Sequence, residues 1–224
     1  MNPKQLAAEK AVSFIENGMI VGLGTGSTAY FAIEKIGERI KSERLKLSAI
    51  ATSKRSEEHA RALNIPIISF ADIDEIDLTI DGADEVDEQL NLIKGGGGAL
   101  LREKIVAFNS DQLIIVVDES KLVKHLGKFL LPVEIAAFGW EMTLRKLQIV
   151  KCKSQLRMKD NDPYITDNNN YIIDCDFKEI LFPAILNDEI DSIPGVVENG
   201  LFVGMANKVI AGYENGEVKI FTKK

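Results

Sequence analysis

The stretch Lys94-Gly95-Gly96-Gly97-Gly98-Ala99-Leu100-Leu101-Arg102-Glu103-Lys104 sets a lysine, four consecutive glycines and a glutamate beside one another. Glycine has the most backbone freedom to lose on folding, so a run of four marks either a loose linker or a backbone pressed against something. A linker fits poorly, because Leu90, Leu92 and Ile93 precede the run and Leu100, Leu101, Ile105 and Val106 follow it. A glycine turn that opens a helix exposes backbone N–H groups, which favour anions. Glu103 falls in the first turns of that helix. It reads either as a surface glutamate where negative charge is favoured anyway or as a general base beside Lys94.

Three other segments carry chemistry. Gly22-Leu23-Gly24-Thr25-Gly26-Ser27-Thr28 lies between a short apolar strand and a helical pattern. The dinucleotide fingerprint fails, because Ser27 stands where its third glycine belongs, and no lysine precedes Ser27 or Thr28 as a Walker A loop requires. Gly26 with the hydroxyls of Thr25, Ser27 and Thr28 suits a single phosphate monoester at a helix N-terminus. The alternative is that Ser27 or Thr28 simply caps the helix. Asp81-Gly82-Ala83-Asp84 ends another strand and lets two carboxylates face one cleft. With Glu85, Asp87 and Glu88 following, it also reads as a solvated acidic turn. Lys121 follows the strand that ends near Val117, and alone would be a solvated lysine. Together these elements put a phosphate cradle, two carboxylates, a lysine and a glutamate at one edge of one sheet, a set suited to proton transfer on a small phosphorylated substrate.

The elements that must position these groups follow from the hydrophobic pattern. Asn2-Pro3 with Gln5 reads as an N-cap, a first-turn proline and a capping-box partner, for a helix running to about Asn17. Met19–Val21, Leu47–Ala51, Pro66–Phe70, Leu78–Asp81 and Leu113–Val117 read as strands. Helices are expected after Thr28, over Ser53–Leu63 and near Ala99–Phe108. Short apolar strands alternating with helices predict an α/β domain: a Rossmann-like, mostly parallel sheet with helices on both faces. After about Gly127 the order becomes βαββαβ, over Leu131–Ile135, Gly139–Leu147, Val150–Met158, Tyr171–Asp176, Glu179–Ile190 and Val196-Val197. That order matches an α+β sandwich of the ferredoxin-like kind. The expected division is 1–127 with 201–224 for the first domain and 128–200 for the inserted one.

Composition narrows the function. Hydrophobic residues make up 46% of the 224, enough for a substantial core. The net charge of −7 argues against nucleic acid held on a basic surface. No apolar run reaches the length of a membrane span, and Met1–Gln5 begins a polar-faced helix without an apolar signal core. Cys152 and Cys175 fit a reducing compartment and no disulfide framework. His59 and His125 are the two histidines, too few for a histidine-rich metal site or a triad.

The chain resembles the ribose-5-phosphate isomerase A family over nearly all of its length. The resemblance rests on Gly22 to Thr28, Asp81-Gly82-Ala83-Asp84, Lys94 to Gly97, Arg102-Glu103-Lys104, Ser120-Lys121, Leu131-Pro132-Val133-Glu134 and Ile193-Pro194-Gly195-Val196-Val197, in the family's order. It implies interconversion of D-ribose 5-phosphate and D-ribulose 5-phosphate through a cis-enediolate, in the cytoplasm, without cofactor or required metal, by a homo-oligomer that is most often a dimer. It implies Glu103, Asp81, Asp84 and Lys94 as catalytic. Substrate contacts would come from Thr25, Gly26, Ser27, Thr28, Gly82, Ala83, Gly95, Gly96, Gly97 and Lys121, with Lys4 at the phosphate by spacing alone. A non-catalytic sugar-phosphate sensor would need the phosphate loop but not Glu103 with Lys94 and Asp81. A related enzyme class, such as a coenzyme A transferase or an amino-sugar-phosphate deaminase, is the other alternative; a coenzyme A transferase can also use a glutamate, but the order of motifs favours the isomerase.

Overall fold

A computed structural model describes residues 2–223, which divide into two compact units. The first holds the chain up to Ala83, Arg102–Leu122, and the chain from Met205 on. Its sheet is built from β1 (Ile20–Leu23), β2 (Ser48–Ala51), β3 (Ile76–Asp81), β6 (Ser110–Asp118), β14 (Lys208–Gly212) and β15 (Val218–Thr222). The strand order is β15-β14-β6-β3-β1-β2. Every pairing is parallel except the terminal β14–β15 hairpin. The carboxyl ends of β1, β2, β3 and β6 therefore lie along one edge. The order reverses between β1 and β3, where open α/β sheets leave a crevice for ligands.

Helix α1 (Pro3–Val12) and helix α2 (Ser27–Glu43) bury Ala7, Ala8, Ala11, Ile33 and Ile36 against Val21, Ile80, Ile114 and Ile210 of the sheet. Val106 of α4 (Leu100–Phe108) packs with Ile50 and Ile76 in a separate cluster, so both faces are covered. Helix α3 (Lys54–Ala62) follows β2 and is capped by Ser53 Oγ, which accepts from Ser56 N at 3.1 Å.

Three expectations for this unit differ from the structure. Helix α1 ends at Val12 rather than near Asn17. Ser13 Oγ donates to Lys10 O at 2.7 Å, a local bond that competes with the helix, and the chain leaves through tight turns. Asn2 Oδ1 caps the helix by accepting from Lys4 N, but Gln5 bonds forward to Glu9 instead of closing a capping box. Pro66–Phe70 forms no full strand. Ile67 makes a single parallel bridge to Ala49, Pro66 has no N–H to donate, and Ser69 caps a short 3₁₀ turn over Phe70–Asp72.

The second unit holds Asp84–Leu101 and Val123–Gly204. Strands β7 (Leu131–Ile135), β8 (Lys153–Leu156), β11 (Tyr171–Asp176) and β12 (Val196–Asn199) form an antiparallel sheet in the order β12-β7-β11-β8. With α5 (Trp140–Leu147) and α6 (Pro183–Asp191) this is the ferredoxin-like βαββαβ arrangement. A small hairpin of β9 (Met158–Lys159) and β10 (Asp162–Pro163) interrupts it. Leu131, Val133, Ile135, Ile173 and Cys175 of the sheet pack with Leu147 and Ile190 of the helices. The boundary differs from the expected 128–200. Strands β4 (Glu85–Val86) and β5 (Leu92–Ile93) pair with each other and with β13 (Leu201–Phe202), which draws the glycine run into this unit. Two-residue strands leave no periodicity for a sequence to show.

Candidate active site

In the first unit the site begins at the end of β1. Gly26 is the N-cap of α2, with φ +106°, and no side chain caps this helix. Neither Ser27 nor Thr28 plays the capping role, so the first N–H groups of α2 keep their capacity for an anion. Lys4 reaches the same place. Its Nζ donates to Ser27 Oγ at 3.0 Å and lies 3.9 Å from Asp118 Oδ2 at the end of β6. Lys121 ends the 3₁₀ turn Glu119–Lys121 that follows β6, a turn capped by Asp118.

Thr25 plays a different part from its neighbours. Its hydroxyl lies 2.8 Å from Thr52 Oγ1, 2.8 Å from Ser53 Oγ and 3.3 Å from Ser56 Oγ. Thr52 and Ser56 donate in turn to Leu23 O and Gly24 O. This hydroxyl cluster ties the loop after β1 to the loop after β2. Sequence reading did not single out Thr52, Ser53 or Ser56, since nothing in their spacing points to Thr25.

Asp81 closes the β1–β3 crevice and is almost wholly buried, at 1% exposure. Its Oδ1 accepts from Thr25 N at 3.0 Å and from Gly82 N at 2.7 Å. A buried carboxylate is tolerable only when it is hydrogen-bonded in this way. Gly24 is obligatory here, because a Cβ would overlap Asp81 Oδ1 and Cα. Glu103, in the first turn of α4, is also buried, at 4% exposure. The alternative of a surface glutamate is thereby removed.

In the second unit the glycine run is an ordered turn. Gly98 N donates to Gly95 O at 3.0 Å. Gly95 and Gly98 have φ of +101° and +81°, backbone that L side chains rarely adopt. A Cβ on Gly96 would stand 2.7 Å from Asp84 Oδ1, and Gly96 N donates to Asp84 Oδ2 at 2.8 Å. The N–H groups of Gly96 and Gly98 are therefore used within the protein rather than offered to an anion. Lys94, 2% exposed, donates its own N–H to Gly200 O, and its Nζ lies 5.4 Å from the ring centre of Phe202. The acidic stretch after Ala83 is not a solvated turn. Glu85 is buried and accepts from Gly127 N and Phe129 N, both at 2.7 Å, and Asp87 shapes the β4–β5 turn through Gln89 N and Asn91 N.

The profile of the family described as ribose 5-phosphate isomerase A (phosphoriboisomerase A) matches residues 48–216. The chain belongs to the ribose-5-phosphate isomerase A family. A ribose-5-phosphate isomerase A of Bacillus mycoides is 56% identical to it, over 96% of this chain and 98% of that protein. Its counterpart in Bacillus cereus is 58% identical with the same coverage. A solved D-ribose-5-phosphate isomerase in complex with phospho-erythronic acid superposes with a TM-score of 0.95 at 41% identity, covering 99% of this chain and 100% of that one. The ribose 5-phosphate isomerase of Plasmodium falciparum also gives 0.95, at 42% identity, with 99% and 98% covered. As a member of the ribose-5-phosphate isomerase A family the chain is an isomerase with the α/β fold described above. Among the described residues no helix is long and apolar enough to cross a membrane, and no three His, Cys, Asp or Glu side chains gather as metal ligands.

Proposed function

We propose that this chain interconverts D-ribose 5-phosphate and D-ribulose 5-phosphate through a cis-enediolate. The observation that carries the reading is Asp81 Oδ1, which takes the N–H groups of both Thr25 and Gly82 and so locks a buried carboxylate to the loop that opens α2. A phosphate on that loop would bring a five-carbon chain within reach of Asp81. The phosphate is held by the N–H groups of Gly26–Thr28, the hydroxyls of Ser27 and Thr28, and Lys4, with Lys121 adding charge. Asp81 takes the anomeric hydroxyl proton and delivers it to the ring oxygen as the bond from C1 to that oxygen breaks and the furanose opens. Glu103 then removes the hydrogen on C2. The C–H electron pair becomes the C1–C2 double bond, and negative charge moves to O1. Lys94 and the Gly97 N–H stabilise that charge where it develops. Asp84 passes a proton between O2 and O1, and Glu103 returns its proton to C1. One base on one face serves both transfers, which suits a single buried glutamate.

The reading extends to the non-oxidative pentose phosphate pathway, in the cytoplasm, with a homodimer as the working form and no nucleic-acid or membrane partner. Two free thiols, Cys152 and Cys175, suit a reducing compartment. Phe138, Ile149, Phe182 and Ile185 are large apolar side chains exposed on the second unit, the kind of surface a second copy covers.

Purified protein supplied with ribose 5-phosphate in excess chelator will form ribulose 5-phosphate at its full rate, followed by NMR. A cationic lysine already supplies the charge that a divalent ion would bring. Loss of turnover with EDTA that a divalent ion restores would move the carboxylates into ligand roles. The phosphate assignment has its own test. Ser27→Ala with Thr28→Ala will raise KM for ribose 5-phosphate at least about tenfold, the cost of a lost hydrogen bond to a charged group. An unchanged KM would place the phosphate elsewhere.

A further inference from the structure

Four glycines in a row do not hold one conformation by themselves, and the structure shows what holds these. Arg157, at the end of β8, donates from Nη1 to Gly95 O at 3.0 Å and to Gly96 O at 3.3 Å. The other edge of its guanidinium is fixed by Asp174 of β11, through Nε to Oδ2 at 2.9 Å and Nη2 to Oδ1. Both side chains are largely buried, at 15% and 11% exposure. Tyr164 completes the frame. Its hydroxyl donates to Gly97 O at 3.2 Å, its ring lies 5.8 Å from the guanidinium carbon, and its N–H donates to Arg157 O at 2.9 Å. The carbonyls of Gly95, Gly96 and Gly97 are thus all held from one side by two residues distant in sequence.

Holding a carbonyl fixes the direction of the N–H in the same peptide plane, because the peptide unit is planar. The Gly96 carbonyl shares its plane with the Gly97 N–H. Arg157 therefore sets the aim of the turn donor that the proposed reaction places on the enediolate. It also anchors the Gly95–Gly96 peptide, one peptide unit beyond the Lys94–Gly95 bond. A guanidinium fits this task because its fork can serve a carboxylate on one edge and carbonyls on another, which an ammonium cannot do.

We propose that Arg157, oriented by Asp174 and assisted by Tyr164, is a positioning residue for the isomerisation, holding the glycine turn in its charge-stabilising form. This rests on the isomerase reading above, but its physical core does not. Arg157→Met and Tyr164→Phe are compared with the native protein by steady-state kinetics on ribose 5-phosphate and by hydrogen exchange at the Gly98 amide. Arg157→Met is expected to lower kcat by about ten- to a hundredfold, the scale of a small misplacement of catalytic groups. KM should stay within about threefold, since the phosphate cradle is in the other unit. Tyr164→Phe should give a smaller loss in kcat with the same KM. Exchange at Gly98 should quicken at least about tenfold in Arg157→Met. Guanidinium ion at low millimolar concentration should recover part of the lost kcat in Arg157→Ala, and Arg157→Lys should not. Unchanged exchange in Arg157→Met would overturn the brace. Faster exchange with native kcat would overturn its role in turnover. If Arg157→Met does not fold, native kcat in Tyr164→Phe together with no guanidinium rescue of Arg157→Ala would overturn the proposal. An inactive native protein would instead remove the isomerase reading, and exchange at Gly98 would still report on the brace.

Discussion

Replacing Glu103 by Gln will reduce turnover of ribose 5-phosphate at least about a hundredfold, the lower range for loss of a general base. The amide keeps the size and polarity of the carboxylate and removes its basicity. Glu103 sits in the first turn of α4 with 4% of its surface exposed, so solvent offers no ready substitute base. Binding should survive, because the proposed phosphate donors are on α2 and α1. A stopped assay for ribulose 5-phosphate, with titration of the variant by a non-reacting sugar phosphate, separates the two quantities. Near-native turnover in the variant would end the assignment.

Lys94→Met will lower kcat by roughly a hundred- to a thousandfold, the cost of removing one group that stabilises an oxyanion. Met fills much of the same volume beside Phe202, so the change isolates the charge. KM for ribose 5-phosphate should move little. Lys94→Arg should not restore the rate, because a planar guanidinium needs more width than a side chain with 2% exposure has around it. Steady-state kinetics of both variants check this. A kcat within tenfold of native for Lys94→Met would place the enediolate charge elsewhere.

Part of the candidate site's placement was legible because those residues sit at strand ends. Asp81 ends one parallel strand and Gly26–Thr28 and Lys121 follow others, and a parallel sheet aligns its carboxyl ends without further information. The βαββαβ order from Leu131 on was legible for the same reason, since each element carries its own periodicity. What escaped has no local signature. Strands β4, β5 and β13 are two residues long, so their pairing could not be read, and with it the grouping of the glycine run. Arg157 acts on carbonyls about sixty positions earlier in the chain, and a lone arginine at a strand end is usually solvated. The acidic stretch misled in the other direction. Glu85 looks like part of a solvated turn, yet it is buried by two backbone donors from Gly127 and Phe129, which only the folded chain brings to it. Lys4 was placed by spacing alone, and the structure sets its ammonium on Ser27.

The fate of the hydrogen on C2 tests the central claim most directly. Ribose 5-phosphate carrying deuterium at C2 is converted by catalytic amounts of the protein in ordinary water, and early ribulose 5-phosphate is read by NMR at C1. A single buried base predicts that part of the deuterium is lost to water and that the remainder occupies one of the two C1 hydrogen positions. Complete retention at C1, at every time point, would indicate a hydride shift between the two carbons and contradict proton transfer through Glu103.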